Sequence, residues 1–159
     1  MTTAKEDRPV VLVSGANRGI GAAIARELKA HGYRLSLGAR NVDTLQSEHG
    51  PADDMTHYAR FDAYDPATAE AWVAGTAERF GRIDALVNNA GNRGAGPVPT
   101  EQRAFWEQTP EDWDPYLHVN LDGVLISTRH AMRHMVEAKR GRVITIISDA
   151  GRIGEVNGL

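Results

Sequence analysis

Val10-Val11-Leu12-Val13-Ser14-Gly15-Ala16-Asn17-Arg18-Gly19-Ile20-Gly21 decides the fold. Four apolar residues in a row, with no polar alternation, read as a strand buried on both faces. A turn with three glycines follows at once. Behind it Ile20, Ile24 and Leu28 recur at i, i+4, i+8, a helical period that ends at His31-Gly32 with a basic residue and a C-cap glycine. A strand that turns through glycine directly into a helix opens a parallel α/β sheet. In that setting the three glycines serve different ends. Gly15 makes the tight turn, Gly19 lets backbone approach a pyrophosphate, and Gly21 lets helix and strand pack closely. The free amides of the helix N-terminus then face the phosphates, with Asn17, Arg18 and Ile20 completing the binding turn. The plainer alternative is a glycine-rich connection with no ligand.

The same alternation continues along the chain. Apolar runs at 10–14, 33–38, 57–61, 83–88 and 143–148 are expected strands, and the segments between them carry helical periods. Asn41 is placed to cap the second helix, and Asp65-Pro66 opens a third that runs to Phe80. Thr109-Pro110-Glu111-Asp112 supplies a cap, a first-turn proline and two acids for a fourth helix reaching about Ala138, interrupted by Pro115. Residues 92–100, rich in glycine and proline, read as a loop.

The 159 residues suffice for one domain with a real core. Eighteen Lys and Arg against 21 Asp and Glu give a net charge of -3, which provides no basic field for nucleic acid or an anionic membrane. With no cysteine, thiolate chemistry, iron-sulfur clusters and disulfides are excluded. No apolar run approaches the roughly 20 residues that cross a bilayer, and no signal core follows the polar N-terminus. The expectation is a cytoplasmic protein with no membrane or nucleic-acid partner.

Five motifs in order resemble the classical short-chain dehydrogenases/reductases. Ser14 to Gly21 is similar to that family's Thr-Gly-x-x-x-Gly-x-Gly turn, with Ser for Thr, and Asp62 follows the third strand where the family sets an Asp against adenine. Asn88-Asn89-Ala90-Gly91 resembles the family's Asn-Asn-Ala-Gly, which implies Asn89, Ala90 and Gly91 beside the adenosine ribose. The stretch 109–120 is similar to the helix bearing the catalytic Asn, here Asn120, and 141–151 to the strand that leads to the catalytic Ser, here Ser148. The resemblance implies a Rossmann-type, doubly wound, three-layer α/β domain with strand order 3-2-1-4-5, hydride transfer between a nicotinamide and a carbonyl or alcohol, and a homo-oligomer. Residues 1–159 are expected to form a single NAD(P)-binding domain, the N-terminal part of such an enzyme.

Arg40 occupies the end of the second strand, where an NAD-binding unit usually carries an acid for the ribose hydroxyls. With Arg18 approaching from the turn, a 2'-phosphate meets positive charge, so NADP is expected over NAD. The family's Tyr-x-x-x-Lys is not within the 159 residues: Tyr33, Tyr58, Tyr64 and Tyr116 are not followed by Lys four positions on. Three explanations stand open: the N-terminal part of a full reductase, a non-catalytic dinucleotide sensor or partner module, and a same-fold epimerase or dehydratase. No metal site is expected. His130 and His134, at i, i+4, read as a solvated basic helix end, and Trp72, Trp106 and Trp113 as packing residues on separate elements. The last strand is expected to stand exposed as a sheet edge and to promote self-association.

Overall fold

In the computed structural model, which describes residues 8–92 and 104–149, every strand is parallel to its neighbours. Strands β1 (Val10–Ser14), β2 (Arg34–Ala39), β3 (Thr56–Arg60), β4 (Ala85–Asn88) and β5 (Arg142–Thr145) form one sheet in the order β3-β2-β1-β4-β5. The order reverses between β1 and β4, so a crevice opens beyond their C-terminal ends, where doubly wound sheets receive ligands. Helices α1 (Gly19–Ala30), α2 (Val42–His49), α3 (Pro66–Phe80), α4 (Pro110–Leu117) and α5 (Gly123–Glu137) connect the strands.

Two cores flank the sheet, and β1 shows why its run lacks polar alternation. Val10 and Leu12 join Trp72, Val73, Phe80 and Met135 on the face covered by α3 and α5. Val11 and Val13 join Ala25, Leu35, Leu37 and Leu45 on the face covered by α1 and α2. Successive side chains point to opposite faces, and both faces are dry. Gly38 is needed in β2 because a Cβ there would lie 3.0 Å from Phe61 Cβ and 3.1 Å from the Trp72 ring. A small polar knot sits in the first core: Trp72 Nε1 donates to Ser36 Oγ at 2.9 Å, and Ser36 Oγ also meets Thr76 Oγ1 at 2.6 Å and His57 Nδ1 at 3.0 Å. Burial, helped by the nearby Arg79 charge, holds the His57 imidazole below its usual pKa.

The ends of α1 and α5 follow one plan. Tyr33 N donates to Leu28 O and Gly32 N to Lys29 O, the paired bonds of a Schellman ending, with Gly32 at φ +77°. After α5 the same pair runs from Arg140 N to Met135 O and from Lys139 N to Val136 O, but here a lysine takes the left-handed position at φ +53°. Asn41 caps α2 by accepting from Asp43 N at 2.9 Å.

Several expectations are corrected. Strand β5 stops at Thr145 rather than 148: Ile146 N makes a last bond to Asn88 O, and β4 has no further residue to pair. Over 109–138 the expected kink, or short helix followed by a long one, is found as α4 and α5, but the break is a π turn at His118–Asp122, downstream of Pro115 rather than at it. Asp65 stands at the cap of α3 but makes no capping bond with its side chain, which accepts from Arg60 instead. His130 is 8% exposed and packed inward, so it is no part of a solvated helix end. Trp72 is core, whereas Trp106 is 85% exposed. Among the described residues β5 lies at an edge of the sheet, with Val143 and Ile144 exposed.

Candidate functional site

The glycine turn leaves β1 at its C-terminal end. Gly15 takes φ +65° and its N–H donates to Gly38 O at 2.8 Å, which bends the chain back over β2. A Cβ on Gly15 would lie 2.9 Å from the Ala90 Cα. One on Gly21 would overlap Gly15 O and Asn89 Nδ2, so Gly21 is the contact at which α1 and the turn meet. Gly19 differs: at φ +56° it faces open space, with nothing within 4 Å of where its Cβ would be. Arg18, in extended conformation, caps α1 without a side-chain bond, and no acid lies in the first helical turn. The helix therefore begins with no side chain competing for its first amides.

A second segment braces this turn. The N–H groups of Asn89 and Ala90 both donate to Ser14 Oγ at 3.0 Å, and Asn89 Nδ2 donates to Ser14 O at 3.1 Å and Gly15 O at 3.2 Å. Asn89 thus shapes the turn by holding its carbonyls, with its amide facing them. Ser14 is the residue that sequence reasoning passed over. Its hydroxyl joins the two segments, and the only signal for it was its place at the motif's threonine. His49 was missed as well, although a ring nitrogen of its side chain meets Ala16 O at 2.8 Å from the end of α2.

The charges around the crevice are unequal in their engagement. Arg18 and Arg40 are exposed, and their side chains make no hydrogen bond or ion pair among the described residues. Asp62 is already occupied: Arg60 donates to its Oδ2 at 3.0 Å and Tyr64 N to its Oδ1 at 3.2 Å, while Thr68 Oγ1 accepts from Asp62 N. Asn17 is half-buried within the turn, and Ile20 presents a largely exposed side chain.

Farther along the crevice Asn120 lies in the π turn. Its amide is held at both ends by Asn92, whose N–H donates to Asn120 Oδ1 and whose carbonyl accepts from Asn120 Nδ2, each at 2.7 Å. Gly91 lies against it, with its Cβ position 3.5 Å from Asn120 Oδ1. Ser148 is exposed beyond the end of β5, on the side of the sheet where Asn88 ends. The structure thus joins Gly15, Gly21, Asn89, Ala90, Gly91 and Asn120 through direct contacts. Ser148, Arg18, Arg40 and Asp62 stand at the ends of separate elements. Among the described residues no His, Asp or Glu group is arranged to hold a metal ion, and no helix is long and apolar enough to cross a membrane.

Comparison with known proteins adds the following. The family model described as short chain dehydrogenase matches residues 9–158. An agropine synthesis reductase from Rhizobium rhizogenes is 46% identical over 144 residues, which are 91% of this chain and 32% of that protein. A granaticin polyketide synthase putative ketoacyl reductase from Streptomyces violaceoruber is 38% identical over 94% of this chain and 54% of its own length. The crystal structure of an actinorhodin polyketide ketoreductase variant with NADPH superposes with a TM-score of 0.83 at 33% identity, covering 96% of this chain and 58% of that one. The chain therefore spans between about a third and three-fifths of the length of these proteins.

Proposed function

Because the chain belongs to the short chain dehydrogenase family, we propose that it is the dinucleotide-binding part of an NADP-dependent reductase that passes hydride between NADP(H) and a carbonyl or alcohol substrate. The observation that carries this reading is the pairing of an open phosphate cradle with unmatched positive charge. Gly19 leaves room for a pyrophosphate against the first amides of α1. Arg18 and Arg40 are exposed at the C-terminal side of the sheet, and their side chains meet no carboxylate among the described residues. A guanidinium on a 2'-phosphate is a charge-assisted contact, and one such contact favours NADP over NAD by about tenfold or more.

In this reading Gly15, Asn17, Arg18, Gly19, Ile20 and Gly21 hold the diphosphate side of the cofactor, and Asn89, Ala90 and Gly91 wall the adenosine ribose. Asp62 takes the adenine amine with the lone pairs that Arg60 and Tyr64 leave over. The nicotinamide supplies or accepts the hydride. Ser148 holds the substrate oxygen, and Asn120 orders the proton path. Residues 1–159 act as one domain of a cytoplasmic enzyme that assembles with copies of itself. The relatives named for ketoacyl reduction support a carbonyl substrate, and the relative crystallised with NADPH supports the cofactor.

Calorimetric titration of the intact protein with NADPH and NADH tests the reading. A dissociation constant for NADPH about tenfold or more below that for NADH is expected, with oxidation of NADPH when a β-keto compound is added. Affinity for neither nucleotide overturns it. Sedimentation of the same material is expected to show a dimer or larger, and a monodisperse monomer overturns the assembly.

A further inference from the structure

The nucleotide cradle uses Asn89, Ala90 and Gly91, and leaves Asn92 without a role. Its backbone clamps Asn120, but its side chain does something separate: Asn92 Nδ2 donates to the carbonyl of Pro115 at 3.2 Å. Pro115 lies in the last turn of α4, three residues ahead of the π turn. A proline inside a helix has no N–H to give to the carbonyl four residues back, here that of Glu111, so α4 is weakened a few residues ahead of the wide turn. A π turn is a less favourable geometry than the α-helix around it, and one that persists needs support from outside the helix. Here support comes from two loops. On one side Ala63 fits against Gly123 and the Tyr64 ring lies tilted against His118 at 5.1 Å between ring centres. On the other Asn92 grips the helix twice, at Pro115 upstream of the turn and at Asn120 within it.

We propose that Asn92 is a positioning residue. Its side-chain amide, by holding the Pro115 carbonyl, sets the π turn that carries Asn120 and so fixes where Asn120 stands beside the reacting groups. The proposal rests on the reductase reading for its catalytic consequence and on the hydrogen-bond geometry alone for its structural one. The backbone clamp on Asn120 is available to any residue at this position. The bond to Pro115 is not, because it needs a donor on a short side chain.

The test uses the whole native polypeptide with Asn92→Asp, which keeps the size and loses the amide donor, and Asn92→Leu as a second variant. Backbone amides over 116–123 are expected to exchange roughly tenfold faster in both, and kcat for carbonyl reduction to fall roughly tenfold, the loss of about one hydrogen bond. KM for NADPH and the melting temperature should hold. An unchanged kcat overturns the proposal. So does faster exchange spread over the whole sheet with a lowered melting temperature, which marks a role in stability only. If the unsubstituted protein reduces no carbonyl compound, the reductase reading fails by that result, and the exchange over 116–123 still decides whether Asn92 sets the turn.

Discussion

The two ends of the sheet are built on opposite terms. At the N-terminal end Asp84 is met from every side: Arg82 donates to both its oxygens at 2.7 and 2.8 Å, Val10 N donates to Oδ2 at 2.8 Å, and Arg140 approaches at 3.5 Å. Burial would raise the Asp84 pKa, but the hydrogen bonds from Arg82 and Val10 and the charges of Arg82 and Arg140 hold it below the usual carboxylate value. At the C-terminal end of the same strands Arg18 and Arg40 stand unmatched among the described residues, and the space beside Gly19 is open. A matched end stabilises the sheet, whereas an unmatched one keeps charge and room in reserve for something that arrives later.

Breaking the matched end should give the largest effect. Asp84→Ala removes the carboxylate that Arg82 and the Val10 amide share, and is expected to lower unfolding free energy by about 3 kcal/mol in a urea titration. The unmatched end should respond in binding instead. Arg40→Glu is expected to weaken NADPH by roughly 2 kcal/mol, about thirtyfold, and to leave NADH nearly unchanged. Equal losses for both nucleotides would place Arg40 away from the 2'-phosphate.

Between the two ends lies His57, and its contribution depends on pH. Its folded pKa is depressed, so above 6.5 both folded and unfolded states are neutral and it adds no pH dependence. As pH falls below 6.5, the unfolded chain takes up the proton first and stability declines until the folded pKa is passed. A His57→Gln variant should show a shallower fall as pH drops below 6.5 than the unsubstituted chain, and an equal slope would remove His57 from that role. The smallest effect belongs to the turn after α5. Lys139→Gly should raise stability by about 0.5 kcal/mol in the same urea titration, because glycine takes φ +53° without the penalty of a Cβ.

The strand positions and the glycine turn were legible because they depend on short-range rules, whereas the doubly wound order followed from the resemblance of five motifs to a known family. An apolar run such as Val10 to Val13 states its own burial, and a glycine at 15, 19 or 21 follows from local backbone demands and close approach. Asn89 was legible as part of a motif after β4, but the direction of its amide was not, since Ser14 and Gly15 lie more than seventy positions away. His130 and Trp106 show the same limit: both are amphipathic, and only the packing of α5, or its absence around 105–107, chooses core or solvent. The π turn and the grip of Asn92 on Pro115 were invisible for a related reason. A helical period tolerates one extra residue in a turn, and which carbonyl meets which amide is settled when β4 brings its loop against the helix. Local chemistry thus wrote the glycine turn into the chain, while the placement of Asn120 waited on the meeting of segments remote in sequence, because hydrogen bonds between distant residues have no local signature.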